Sequence, residues 1–276
     1  MNFADKTKIQ INEIINKAYD KVRQNEQMLI GEPLLGVVEV PKNKTHGDYT
    51  ASHAFNAAKK LGLTPEKAAS ILGALINIDN SYFIKQNPTK KGFINFILGE
   101  KWYKEVLEAV ERLGESYGNE YGHVNKLIQS NEGLTSAERL KKYNIDESLK
   151  NREDRGNPIY YIQYAHARIS AIERNLKAVG YSVPPLEEIH ITDLNTAEEK
   201  ELIKKIALLP EQAESAADNN SMILFFDYAT QLATCFYEFY RRCPISIEDK
   251  NLKLARLKLA DLTKIVLANC IRILGI

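Results

Sequence analysis

Ile11, Ile14, Ile15, Ala18 and Val22 recur at three- and four-residue spacing with charges between them, which predicts a helix over residues 4–29, closed by Gly31 and Pro33. Gly36 to Val40 then reads as a short strand stopped by Pro41, and Lys42 to Asp48 as a polar loop. The spacing predicts a helix from about Tyr49 to Leu61. A second follows from Thr64, whose hydroxyl suits a cap, with Pro65 fitting the first turn. Tyr82 to Gln86 and Phe93 to Leu98 are strand-like runs separated by a turn-like stretch that ends at Gly92, and Trp102 to Leu113 is helical.

Residues 115–156 break this regularity. Glycine and asparagine recur, charges are scattered and few apolar residues fall in phase, so the segment reads as a linker with a helical turn or two near 136–142. From Asn157 onward every periodic run has helical spacing: Pro158 to Val179, Thr196 to Leu208, Glu211 to Ala217, Ser221 to Tyr240 and Leu252 to Leu274. The fold class expected is therefore an α+β domain over 1–114, a linker over 115–156 and an all-α helical bundle over 157–276, mainly α overall.

Apolar content of 44% and charged content of 26% are those of a chain that buries a core. The net charge is +1, so bulk charge does not mark a nucleic-acid binder. Locally, eight basic residues against three acidic ones lie between Arg241 and Arg272, a pattern that steers polyanions or simply solvates a helix face. Three cysteines without metal-ligand spacing suggest neither a disulfide framework nor a metal site. The N-terminus is polar and no apolar run approaches the roughly 20 residues of a membrane span, so a cytoplasmic protein with no membrane partner is expected. No phosphate-binding glycine loop or nucleophile elbow occurs, and His46 beside Asp48 has no nucleophile placed next to it. No catalytic residue, cofactor or metal is assigned.

The densest segment is Asn157 to Ile169, which holds three tyrosines, a glutamine, a histidine and an arginine. On a helix Tyr160 and Tyr164 share a face, with Arg168 one turn further on. Rings with a cation beside them can stack on bases and hold phosphates. Composition alone favours the plainer alternative, a packing helix whose tyrosine hydroxyls reach the surface.

Asn157-Pro-Ile-Tyr-Tyr-Ile-Gln-Tyr-Ala-His-Ala-Arg-Ile169 closely resembles the opening of the anticodon-binding helical domain of arginyl-tRNA synthetases. Leu232 to Pro244 looks like that domain's central helix and turn, and Ala255 to Ile276 like its closing helix. His46-Gly47-Asp48-Tyr49, Pro65 with the helix after it, and Gly92 to Phe96 resemble the family's N-terminal additional domain. Between these parts the family carries a class I core with a His-Ile-Gly-His-type signature and a Lys-Met-Ser-Lys-Ser-type loop, and neither sequence occurs in this chain. The resemblance implies a tRNA-binding protein that does not aminoacylate alone, with transfer RNA, arginine tRNA first, as partner. It implies D-loop contacts from Phe93 and Asn95. In the helical domain it implies contacts from Tyr160, Tyr164, Arg168, Tyr240, Arg241, Arg242 and Arg256, aromatics stacking on anticodon bases and arginines holding phosphates. Two alternatives stay open: a protein-interaction module that docks on a full-length synthetase or on a second copy of itself, and one part of a split arginine-tRNA ligase.

Overall fold

The computed structural model describes residues 2–26, 31–119, 122–129, 132–135, 138, 141–142, 158–219 and 221–276. Phe3–Tyr103 form one compact unit and Lys104–Ile276 make up the other. The division falls within a helix, whereas the sequence reading placed the end of the first domain at Gly114. The helix concerned, α4 (Glu100–Leu113), is amphipathic from end to end, so no change in composition marks the place.

In the first unit α1 (Phe3–Asn25) buries Phe3, Ile11, Ile15 and Tyr19. Strands β1 (Val38–Glu39), β2 (Tyr49–Ala51), β3 (Phe83–Pro88) and β4 (Ile94–Leu98) form an antiparallel sheet in the order β1-β2-β4-β3. Helices α2 (His53–Leu61) and α3 (Pro65–Leu75) follow β2, and α3 starts as its sequence predicts, with Thr64 accepting from Lys67 N at 3.3 Å. The expected helix over 49–61 is corrected at its start. Tyr49, Thr50 and Ala51 pair in register with Phe96, Asn95 and Ile94, and the chain turns helical only after Ser52. Apolar spacing across such a short stretch fits either period, and the ladder to β4 decides it. The reversal between β3 and β4 uses Gly92 at φ +85°, a left-handed conformation, while Thr89 N donates to Phe93 O at 2.8 Å. Trp102 on α4 closes this core, its ring edge-on to Phe3 and its Nε1 donating to Thr7 Oγ1 at 2.9 Å.

The second unit is helical. It contains α5 (His123–Gln129), α6 (Pro158–Ala178), α7 (Ala197–Ala207), α8 (Leu209–Asp218), α9 (Met222–Arg242) and α10 (Lys250–Leu274). Its core joins Ile162 and Ile169 of α6, Ile203 and Ile206 of α7, Leu232 and Phe236 of α9, and Leu259, Leu262 and Val266 of α10, all essentially without solvent contact. Burying a side chain of this size contributes about 1.5–3 kcal/mol. Within the stretch expected as a linker, α5 lies among the described residues and was not foreseen. Tyr117 is also buried there, its hydroxyl donating to Ile206 O at 3.3 Å, and Asn269 Nδ2 donates to the carbonyls of Gly114 and Tyr117 at 2.9 and 3.1 Å. The expected helical turn at 136–142 lies largely outside the described residues. Among the described residues no helix is long and apolar enough to cross a membrane.

Candidate nucleic-acid interface

Helix α6 buries Ile162, Ala165, Ile169, Ile172 and Leu176 along one stripe, which leaves Gln163, Tyr164, Ala167 and Arg168 exposed on the other side. Tyr160 and Tyr164, one turn apart, stack at 5.6 Å between ring centroids and 21° between planes. Tyr164 in turn lies near-parallel to Tyr237 of α9 at 6.3 Å, and Tyr161 meets Tyr237 at 4.4 Å. The Tyr237 hydroxyl donates to Tyr161 O at 3.4 Å, which fixes α9 against the start of α6. One turn further along both helices, the Arg168 guanidinium sits 5.2 Å from the Tyr240 ring centroid and donates to its hydroxyl at 3.1 Å. Tyr160, Tyr164, Tyr237 and Tyr240, with Arg168, thus form a ladder across two helices. Tyr164, 43% exposed, presents the most open ring. A row of held, partly exposed rings has the chemistry to stack on unstacked bases at small ordering cost, and a cation beside it has the chemistry to hold a phosphate.

Tyr237 was missed by sequence reasoning, although its signal was present: Phe236-Tyr237-Glu238-Phe239-Tyr240 puts Tyr237 and Tyr240 three apart, both half-buried and flanking the buried Phe236.

The arginines divide. Arg241 and Arg242 are exposed at the end of α9 but already paired, Arg241 to Glu238 at 2.6 Å and Arg242 to Glu198 and Glu238 at 3.4 and 3.6 Å. The bond from Arg241 holds the Glu238 carboxyl below its ordinary range. Arg256, expected to hold phosphate, is corrected by its surroundings: it is buried, its Nε donates to Glu199 Oε1 at 2.7 Å and its Nη1 to Pro244 O at 2.9 Å. Glu199 has no exposed surface and closes a capping box with Thr196 at the start of α7. A buried carboxylate requires a partner, and Arg256 is that partner.

The positive stretch over 241–272 is likewise largely engaged within the fold. Lys258 pairs with Glu111 at 2.6 Å and Asp261 at 3.5 Å, Lys264 pairs with Glu173 and Asp261, and Arg272 bonds Glu115 O. Burial pushes the Glu173 carboxyl up. For Lys264 burial works against the charge, yet the bonds and charges of Glu173 and Asp261 together outweigh it and hold the ammonium above its ordinary range. Burial, aided by Lys264, keeps His166 below the usual histidine range.

In the other unit Asn95 lies mid-strand on β4, paired in register with Thr50 and Asn87 and only 7% exposed. Phe93, just before β4, is half-buried with its ring edge-on to Phe55 of α2 at 5.0 Å. Among the described residues no group of three His, Cys, Asp or Glu side chains is placed to hold a metal ion.

Comparison with known proteins follows this division of the chain. Residues 6–98 match the family model for the arginyl tRNA synthetase N terminal domain, and residues 162–276 match the DALR anticodon binding domain. An arginine–tRNA ligase of Symbiobacterium thermophilum is 41% identical over 132 residues, 48% of this chain and 24% of that protein. One from Heliobacterium modesticaldum is 30% identical over 229 residues, 82% of this chain and 37% of that protein. The chain thus spans well under half the length of these relatives. Among solved structures, Thermus thermophilus arginyl-tRNA synthetase superposes with a TM-score of 0.57 at 12% identity, over 98% of this chain and 99% of that one, a likeness of fold. With both of its matched segments drawn from one kind of protein, in order, the chain belongs to the arginyl-tRNA synthetase family, of which it carries the N-terminal and anticodon-binding domains.

Proposed function

We propose that this chain binds transfer RNA, arginine tRNA first, and does not aminoacylate it alone. The observation that carries the reading is the ladder Tyr160, Tyr164, Tyr237 and Tyr240 with Arg168 beside it, inside the segment that matches an anticodon-binding domain. Tyr164 and Tyr237 stack on unpaired bases, Arg168 meets the adjoining phosphate, and Arg241 and Arg242 stand at the rim. Phe93 and Asn95 contact the D-loop from the other unit. Adenylate formation needs donors positioned on the phosphates of ATP. The residues between the two matched segments, 99–161, contain neither nucleotide-binding signature of the class I core.

The test is a gel-shift titration of the full chain against total tRNA, with arginine tRNA as competitor. Binding displaced preferentially by arginine tRNA supports the reading, and no shift at low salt removes it.

A second reading, docking on a protein, is favoured by the sheet edge. Leu35, Val37 and Val40 flank the two-residue strand β1 at 74%, 63% and 67% exposure. Exposed apolar edges seek partners. Sedimentation of the purified chain, alone and with a full-length arginyl-tRNA synthetase, would show a mass increase if this surface binds a second copy or the enzyme.

A further inference from the structure

We propose that Thr50 and Lys85 complete a one-nucleotide subsite on the outer face of the sheet, in which Thr50 and Asn95 read the edge of one unpaired base and Lys85 holds its phosphate. This rests on the RNA-binding reading above, and it adds two residues that neither the sequence reasoning nor the family resemblance picked out.

Strand register sets the arrangement. Glu39 pairs with Thr50, Thr50 with Asn95 and Asn95 with Asn87, so these four side chains cross the whole sheet in one row on one face. Directly opposite residues have Cβ atoms about 4.5–5.5 Å apart, which sets the Thr50 side chain beside that of Asn95. Their chain neighbours Tyr49, Ala51, Ile94 and Phe96 alternate to the other face and are buried there. Lys85 pairs with Ile97 and so shares the face of Asn87, two residues or roughly 7 Å along β3. The bond from Thr89 N to Phe93 O carries the β3–β4 pairing one step past Ile94, and alternation returns Phe93 to the Asn95 side.

Burial and hydrogen bonding single out the middle of the row. Thr50 is 8% exposed and Asn95 7%. Among the described residues neither side chain hydrogen-bonds within the fold, yet neither has a polar atom sealed from solvent. Buried hydroxyls and amides are as a rule hydrogen-bonded. Two adjacent ones, more than nine-tenths buried, unpartnered in the fold and still reachable at their polar atoms, are arranged for the edge of a ligand. An amide presents a donor and an acceptor side by side, as the edge of a base does, and a hydroxyl donates or accepts as needed. Unstacked bases are read in this way with an aromatic side chain against the ring, and half-buried Phe93 supplies it. Charge then orients the backbone. Glu39, exposed at the β1 end of the row, repels phosphate, whereas Lys85 on β3 is exposed and forms no ion pair among the described residues.

The experiment measures Kd of the full chain for a fluorescent in vitro transcribed arginine tRNA, and for transcripts in which each unpaired D-loop base is changed in turn. Thr50→Val keeps the shape and removes the hydroxyl. It is expected to raise Kd roughly 2- to 10-fold, the worth of one hydrogen bond, while melting no lower than the wild type. Thr50→Ser, which keeps the hydroxyl, is expected to bind like the wild type. On one altered transcript the Thr50→Val penalty is expected to shrink, because the base it reads has gone. Each comparison between transcripts uses one variant, so any loss of folded protein cancels. Lys85→Gln is expected to reduce the slope of log affinity against log salt by about 0.7. A wild-type slope there removes Lys85 from the subsite. A Thr50→Val penalty equal on every transcript, or none while Tyr164→Ala still weakens binding, overturns the subsite and leaves the ladder standing. No binding by the wild-type chain at low salt overturns both.

Discussion

Replacing Arg256 with alanine separates a structural arginine from one that holds RNA. The Glu199 carboxylate has no solvent contact and accepts from Arg256 Nε at 2.7 Å and from Thr196 N at 2.8 Å. Without the guanidinium one carboxylate oxygen stays buried with its charge uncompensated, and the Pro244 carbonyl loses its donor. Breaking a buried pair from one side costs about 3–5 kcal/mol. For a unit of this size each kcal/mol moves the midpoint by roughly 2–4 °C, so the helical unit should melt roughly 6–20 °C lower. Differential scanning calorimetry reads this directly. Adding Glu199→Gln to Arg256→Ala should recover part of the loss, because the stranded charge is gone. Affinity for tRNA, measured well below the lowered midpoint, should not change. A variant that melts like the wild type and binds tRNA more weakly would refute the argument and return Arg256 to the interface.

Two further outcomes follow from the same kind of reasoning. His53 is fully buried, Asn12 Nδ2 donates to Lys8 O, and so Asn12 Oδ1 accepts from His53 Nε2 at 2.8 Å while Nδ1 is left against Gly36. Burial lowers its pKa from 6.5 to about 4, so the unfolded chain binds the proton first. The stability contributed is complete above pH 6.5 and is lost as pH falls toward 4, about 3 kcal/mol in all, and urea titrations across that range should show the loss in wild type but not in His53→Gln. Purified chain with arginine, ATP and tRNA should give no ATP–pyrophosphate exchange and no charged tRNA above background, and turnover would contradict the proposed function.

Much of the helical architecture was legible because it rests on local signals. The 3.6-residue period gave α1, α3, α6, α9 and α10 nearly to their ends, and Thr64 and Thr196 cap the helices that follow them. What was not legible depends on partners distant in sequence. Tyr49–Ala51 is a strand because β4, more than forty residues on, pairs with it. Arg256 looks like a phosphate ligand until Glu199, 57 residues away, is brought to it. The basic stretch over 241–272 counted charges correctly but could not say that most of them face carboxylates or carbonyls of the same fold. At the interface, α6 supplied Tyr160, Tyr164 and Arg168 from one local motif. Tyr237 enters only when α9 lies alongside, so half of the ladder is a product of packing.

The most direct test of the RNA-binding account is an anisotropy titration of fluorescent arginine tRNA with the full chain and with Tyr164→Ala, at low and at moderate salt. Stacking on one base is worth about 1–3 kcal/mol, so Tyr164→Ala should raise Kd by about 5- to 150-fold, by the same factor at both salt concentrations because stacking is not ionic. Its ring is 43% exposed, so the melting temperature should stay near that of the wild type. An unchanged Kd for folded Tyr164→Ala, or the absence of any binding by the wild-type chain at low salt, would contradict the account.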